Sequence, residues 1–244
     1  MDYFNEFLIN TSIHLTLELV AAIAGTYYLK KNAEASNSTL YLVYFLWFTF
    51  ILEVIAIYSP IAYFTDCEYF GFVYDTVFER NIWLYNIYSL ISFSFFVYYI
   101  MSLLKSKAQK KTITLILYIY LIIGVLNLIL SDVFFKEDSV FTAIAGTLLL
   151  LLVNVLFYFD LLKSNQILNL KKQLPIYISV GVLVFYLCVT PIDLFSQYFK
   201  RVNELFVNVK AIIYIIANIF MYTTFTIGFL VCAKKNNSNI ELNE

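Results

Sequence analysis

The sequence predicts an all-α membrane protein, a bundle of seven transmembrane helices, and three observations carry that prediction. Of the 244 residues, 61% are hydrophobic and 14% charged, whereas a soluble domain is nearer half apolar and a quarter charged. The mean hydropathy is +0.79, so there is too little polar surface to coat a water-soluble globule. The apolar residues fall into seven stretches, each near the roughly 20 residues that a helix needs to cross a bilayer. None shows the roughly ten-residue alternation of a barrel strand.

The first stretch, 8–29, follows Met1-Asp2-Tyr3-Phe4-Asn5-Glu6. That start carries acids rather than the Lys or Arg of a cleaved signal, so the segment is expected to stay in the protein. The second, 40–64, contains Pro60 near its end. The third, 82–104, comes after the longest loop, about 65–81. The fourth and fifth are 112–134 and 140–162. The sixth, 174–198, contains Pro191, and the seventh is 206–232. Residues 1–235 read as one transmembrane domain and 236–244 as a polar cytoplasmic tail. No stretch reads as a soluble domain, so function is expected from the helices, the loops or a separate partner.

Lys and Arg set the expected orientation. Eleven of the 16 follow segments 1, 3, 5 and 7, among them Lys30, Lys31, Lys105, Lys163, Lys234 and Lys235. The other five are Arg80, Lys136, Lys200, Arg201 and Lys210. The positive-inside rule places the N-terminus outside and the C-terminus in the cytoplasm, and the expected location is the plasma membrane.

Segments 2 and 6 share a short pattern, Ser59-Pro60-Ile61 against Thr190-Pro191-Ile192. Asn86 and Asn218, and Lys31 and Lys163, recur at nearly the same offset. This resembles the 3+1+3 plan of parallel repeats in the SWEET and PQ-loop transporters, which share the outside-to-inside course. Segments 1 and 5 lack the prolines of a PQ-loop protein, so the resemblance is to the plan and does not assign the family. A seven-helix receptor-like bundle fits the same topology.

Glu18 and Glu53 each sit near the middle of an apolar segment. A charge at that depth costs several kcal/mol, which makes an intramembrane acid a functional-site candidate by default. At 1.5 Å per residue both fall near the midplane, about 10 and 13 residues from the ends of their segments. Small and polar residues share helix faces with them: His14, Glu18, Ala21, Ala22 and Gly25 in segment 1, and Thr49, Glu53, Ala56 and Pro60 in segment 2. Segment 4 carries Tyr120, Gly124, Asn127 and Ser131. Segment 5 carries Ala143, Thr147, Asn154 and Tyr158, and segment 7 carries Tyr214, Asn218 and Tyr222. Such stripes face other helices rather than lipid. The expected site is a midplane layer of Glu18, Glu53, His14, Asn127, Asn154 and Asn218. Pro60, Pro191 and Asp193 are candidates for a kink or gate nearer the outside.

Two acids in a dry site can hold a proton, bind a cation or amine, or pair with His14, one turn from Glu18. Several function classes lose support. His14 is the one histidine, and Cys67, Cys188 and Cys232 lie far apart, so a zinc hydrolase site is not expected. No Ser-His, Cys-His or Gly-rich phosphate pattern occurs. Lys210 lies too near a helix end for a retinal Schiff base. The net charge of −1 offers no support for nucleic acid. The expected protein is no enzyme and has no cofactor or metal centre. Small-solute or ion transport, linked to protons or cations, is the leading expectation. A membrane sensor acting through a cytoplasmic partner, and a non-catalytic subunit of a membrane complex, are the alternatives.

Overall fold

A computed structural model of the chain describes residues 2–164, 170–196 and 204–233. These form helices α1 (Asp2–Lys31), α2 (Asn37–Ala56), α3 (Tyr58–Phe64), α4 (Ile82–Leu103), α5 (Lys107–Leu130), α6 (Val133–Lys136), α7 (Val140–Leu162), α8 (Leu174–Ser196) and α9 (Glu204–Ala233). No strand occurs among the described residues. Seven spans are long and apolar enough to cross a membrane, with α2 and α3 together forming one of them. Lys200, Arg201, Lys234, Lys235 and the tail 236–244 lie outside the described residues.

Local chemistry sets several helix starts. Ser36, Ser106 and Ser139 cap α2, α5 and α7 by accepting backbone N–H bonds from Thr39, Gln109 and Thr142, as helix N-termini require. The Ser106 cap explains why α5 begins five residues before the expected 112. Its first turn carries Lys107, Lys110 and Lys111, whose long side chains keep their charge at the bundle's edge. α5 then ends at Leu130 rather than 134, because the chain breaks at Ser131 and restarts as the short α6.

The second span breaks at Ile57, between α2 and α3. Pro60 has no N–H to give the carbonyl four residues earlier, that of Ala56. Asn81 supplies the missing donor: its Nδ2 bonds the Ala56 oxygen at 2.9 Å. Pro191 acts differently, since α8 continues through it and its ring is exposed on the outside of the bundle.

Six of the spans close a ring. α1 packs between α2 and α9, α2 meets α4, α4 meets α7, and α8 packs between α7 and α9. α5 lies outside the ring against α4 and α7. Close approach needs small residues: a Cβ at Gly146 of α7 would stand 2.4 Å from the Phe93 ring of α4. The half of the ring toward the α1 C-terminus is packed solid, with Leu42, Tyr99, Ile100, Leu150, Ile178 and Phe229 essentially without exposure. The other half, toward the α1 N-terminus, holds a cavity.

Candidate functional site

A cavity of about 460 Å³ opens inside the ring. Its walls come from α1, α2, α4, α8 and α9, and from the start of α7. It runs from Asn81, Asp138 and Lys210, near the face carrying the α1 N-terminus, down to Glu18 and Glu53. Counting along the spans from Phe7 and from Phe64, both acids lie about 11 residues, or roughly 16 Å, from that face. Below them the cavity ends on rings of Phe45, Phe96 and Phe225. Phe96 stands edge-on to Phe45 at 5.3 Å between centroids and lies 6.3 Å from Phe225.

Glu18 and Glu53, from two helices, share this one cavity. Tyr222 of α9 donates its hydroxyl to Glu18 Oε1 at 3.1 Å, and Tyr85 of α4 donates to Glu53 Oε2 at 2.8 Å. Glu18 is only 4% exposed, and its second oxygen, Oε2, has no hydrogen-bond partner. A buried oxygen left in that state is costly and calls for a donor.

A second charged group stands at the mouth. Lys210 Nζ lies 3.1 Å from Asp193 Oδ1 and 3.9 Å from Asp138 Oδ2. Tyr214 OH sits 2.6 and 2.7 Å from the two oxygens of the same Asp193 carboxyl. The cluster ties α8 to α9 and both to the loop before α7. That loop is held by Asn86, whose Nδ2 donates to the Phe134 and Glu137 carbonyls while its Oδ1 accepts from Ser139 N.

The residues expected at the site divide. Glu18, Glu53, His14, Asn218, Pro60 and Asp193 line the cavity. Asn127, Asn154 and Pro191 do not. Asn127 accepts a bond from Ser139 Oγ and so anchors the start of α7 from the peripheral helix. Asn154 is fully buried on the packed side, its amide donating to Leu150 O of its own helix. Of the three ways to balance the acids, pairing with His14 is not the contact seen at Glu18, which bonds Tyr222. Asn218 bonds the Tyr214 carbonyl one turn back.

Tyr85, Lys210 and Asp138 were not expected at a site. Tyr85, Tyr88, Ser89 and Ser92 form a polar stripe at helical spacing on α4, and that pattern is a signal for Tyr85. Its depth is not readable from the sequence, because Tyr85 is only three residues into its helix. The Asn81 bond to Ala56 sets the start of α4 about one turn above Glu53, so Tyr85 arrives at the level of the acid.

Fold and site together define a seven-helix integral membrane protein with an acidic cavity leading to one face. No family model matches the chain, and no curated protein or solved structure shows significant similarity to it.

Proposed function

We propose that the protein takes a small cationic solute into this cavity and carries it across the plasma membrane, with the N-terminus outside and the C-terminus in the cytoplasm. One observation carries the reading: Glu18 and Glu53, on separate helices, line a single cavity that leads to one face. Two carboxylates at that depth are balanced when a cation or proton joins them. The orientation rests on the positive-inside rule, because eleven of the 16 Lys and Arg residues follow segments 1, 3, 5 and 7 in the sequence. No catalytic step enters the reading.

The packed half beneath the aromatic floor favours a second reading, a sensor that reports occupancy of the cavity to a cytoplasmic partner. Uptake into proteoliposomes separates the two. The purified chain is reconstituted, and labelled organic cations and monovalent and divalent metal ions are offered from the side of the cavity. Transport predicts uptake that falls at least tenfold in Glu18→Gln and Glu53→Gln. Absence of uptake for every cation, by protein that still binds one of them, removes transport and leaves the sensor.

A further inference from the structure

We infer that the solute is a primary organic ammonium ion, with its nitrogen between Glu18 and Glu53 and its apolar body on the aromatic floor. The inference rests on the cavity being a ligand site, as proposed above.

The argument begins with charge. The cavity holds two acidic poles, Asp138 with Asp193 at the mouth and Glu18 with Glu53 at depth. The mouth pole has a cation from the protein itself, Lys210. Among the described residues the deep pole has none: Lys210 is the one described Lys or Arg on the cavity wall, and Glu18 bonds Tyr222. The acids that lack a cation from the described residues therefore lie at the bottom.

Lys210 also shows how this fold holds an alkylammonium. It places the nitrogen between two carboxyls and 5.5 Å from the centre of the Tyr214 ring. The deep pole repeats those parts. It has two carboxyls, and the aromatic side chains of Tyr85, Tyr88 and Tyr222 stand around them. Cations favour such ring faces.

Hydrogen bonding narrows the class further. Glu18 Oε2 is buried and unpartnered, so the ligand must bring a hydrogen-bond donor, and two neighbouring acids favour a cationic one. A primary ammonium brings three, whereas a quaternary one brings none. A calcium ion takes six to eight oxygens. Among the described residues no group of three or more His, Cys, Asp or Glu side chains is placed to hold a metal. The donor set is thus small, acidic and aromatic. Size agrees: about 460 Å³ exceeds the roughly 150 Å³ that holds a benzene ring, so a single-ring amine fits with water beside it.

The test is binding to the full-length protein in nanodiscs, followed by calorimetry and thermal shift. The probes are benzylamine, benzyl alcohol, benzyltrimethylammonium and calcium chloride. Benzylamine is expected to bind at least tenfold more tightly than the alcohol or the quaternary ion, and calcium is expected to give no shift. Glu18→Gln and Glu53→Gln, on different helices, are each expected to lower benzylamine affinity at least tenfold. Asp132→Asn, which removes an exposed acid outside the cavity, is expected to retain binding. Any one of three results overturns the inference: no benzylamine binding at millimolar concentration, equal binding by the alcohol, or unchanged affinity in both Gln variants. Where one Gln variant fails to elute as a folded protein, the other decides. The outcomes also separate the two readings. Benzylamine binding without uptake removes transport and leaves the ammonium site, whereas Glu18-dependent uptake of a metal ion that amines do not inhibit removes the ammonium site and leaves transport.

Discussion

Asn86 holds the loop that shapes the cavity mouth, and replacing it tests the architecture most directly. The residue is 2% exposed. Its Nδ2 donates to Phe134 O at 3.1 Å and to Glu137 O at 3.0 Å, and its Oδ1 accepts from Ser139 N at 2.8 Å. Asn86→Ala removes these three bonds and a longer one to the Val133 carbonyl at 3.5 Å. Each nets about 0.5–1.5 kcal/mol, and a buried group left without a partner costs about 1–3 kcal/mol. Ser139 is 6% exposed, so its N–H has poor access to water and carries the larger penalty. The Phe134 and Glu137 carbonyls lie nearer the surface and carry the smaller one. The total is about 3 kcal/mol, or roughly a 6–12 °C fall in Tm at 2–4 °C per kcal/mol for a chain of this size. Asn86→Asp keeps the acceptor for Ser139 but turns an oxygen toward two carbonyls, so it should do no better than alanine. The assay is thermal unfolding in detergent, followed by Trp fluorescence. A fall below about 2 °C for Asn86→Ala, or a wild-type Tm for Asn86→Asp, refutes the assigned bonding and with it the placement of Asp138 beside Lys210.

Three further outcomes follow from the same structure. Asn81→Ala should cost about 1 kcal/mol by stripping the donor from the Ala56 carbonyl. Pro60→Ala restores a backbone N–H there and should reduce that loss, so a double-mutant cycle with additive effects would argue against the cap. Gly146→Ala puts a Cβ 2.4 Å from the Phe93 ring, and overpacking of about 1–3 kcal/mol should outweigh the gain of about 1 kcal/mol in helix propensity; an unchanged or raised Tm contradicts the close contact. Lys210→Met leaves Asp138 and Asp193 facing each other without a cation and should lower Tm. Lys210→Met with Asp193→Asn should recover part of the loss, and a double variant no better than the single one counts against the ion pair.

The membrane-spanning character was legible in the composition and in the length of the apolar stretches, because a bilayer imposes both on any helix that crosses it. Segment 5 matches its helix at both ends, since Ser139 and Lys163 bound it chemically. Segment 4 does not, because a serine cap and snorkelling lysines extend α5 backward while Ser131 stops it early.

At the site, a mid-membrane charge is costly in any fold, so Glu18 and Glu53 stood out in the sequence. Asn127 and Asn154 carry the same type of signal, yet one anchors a helix start and the other serves its own backbone. A polar residue on a small-residue stripe marks a helix contact, and periodicity does not say which contact. The helix order around the ring decided that α5 stands outside it and that α4, α8 and α9 face the acids. The Asn81 bond set the level at which α4 starts and so brought Tyr85 to Glu53. The sequence by itself determined seven apolar helices and two buried acids, because hydrophobicity and charge are properties of residues. Only the tertiary structure decided that the acids share one cavity, that Tyr222 meets Glu18, and that Lys210 serves the mouth. Those outcomes depend on how helices are rotated and staggered against one another, which long-range packing sets and local sequence does not encode.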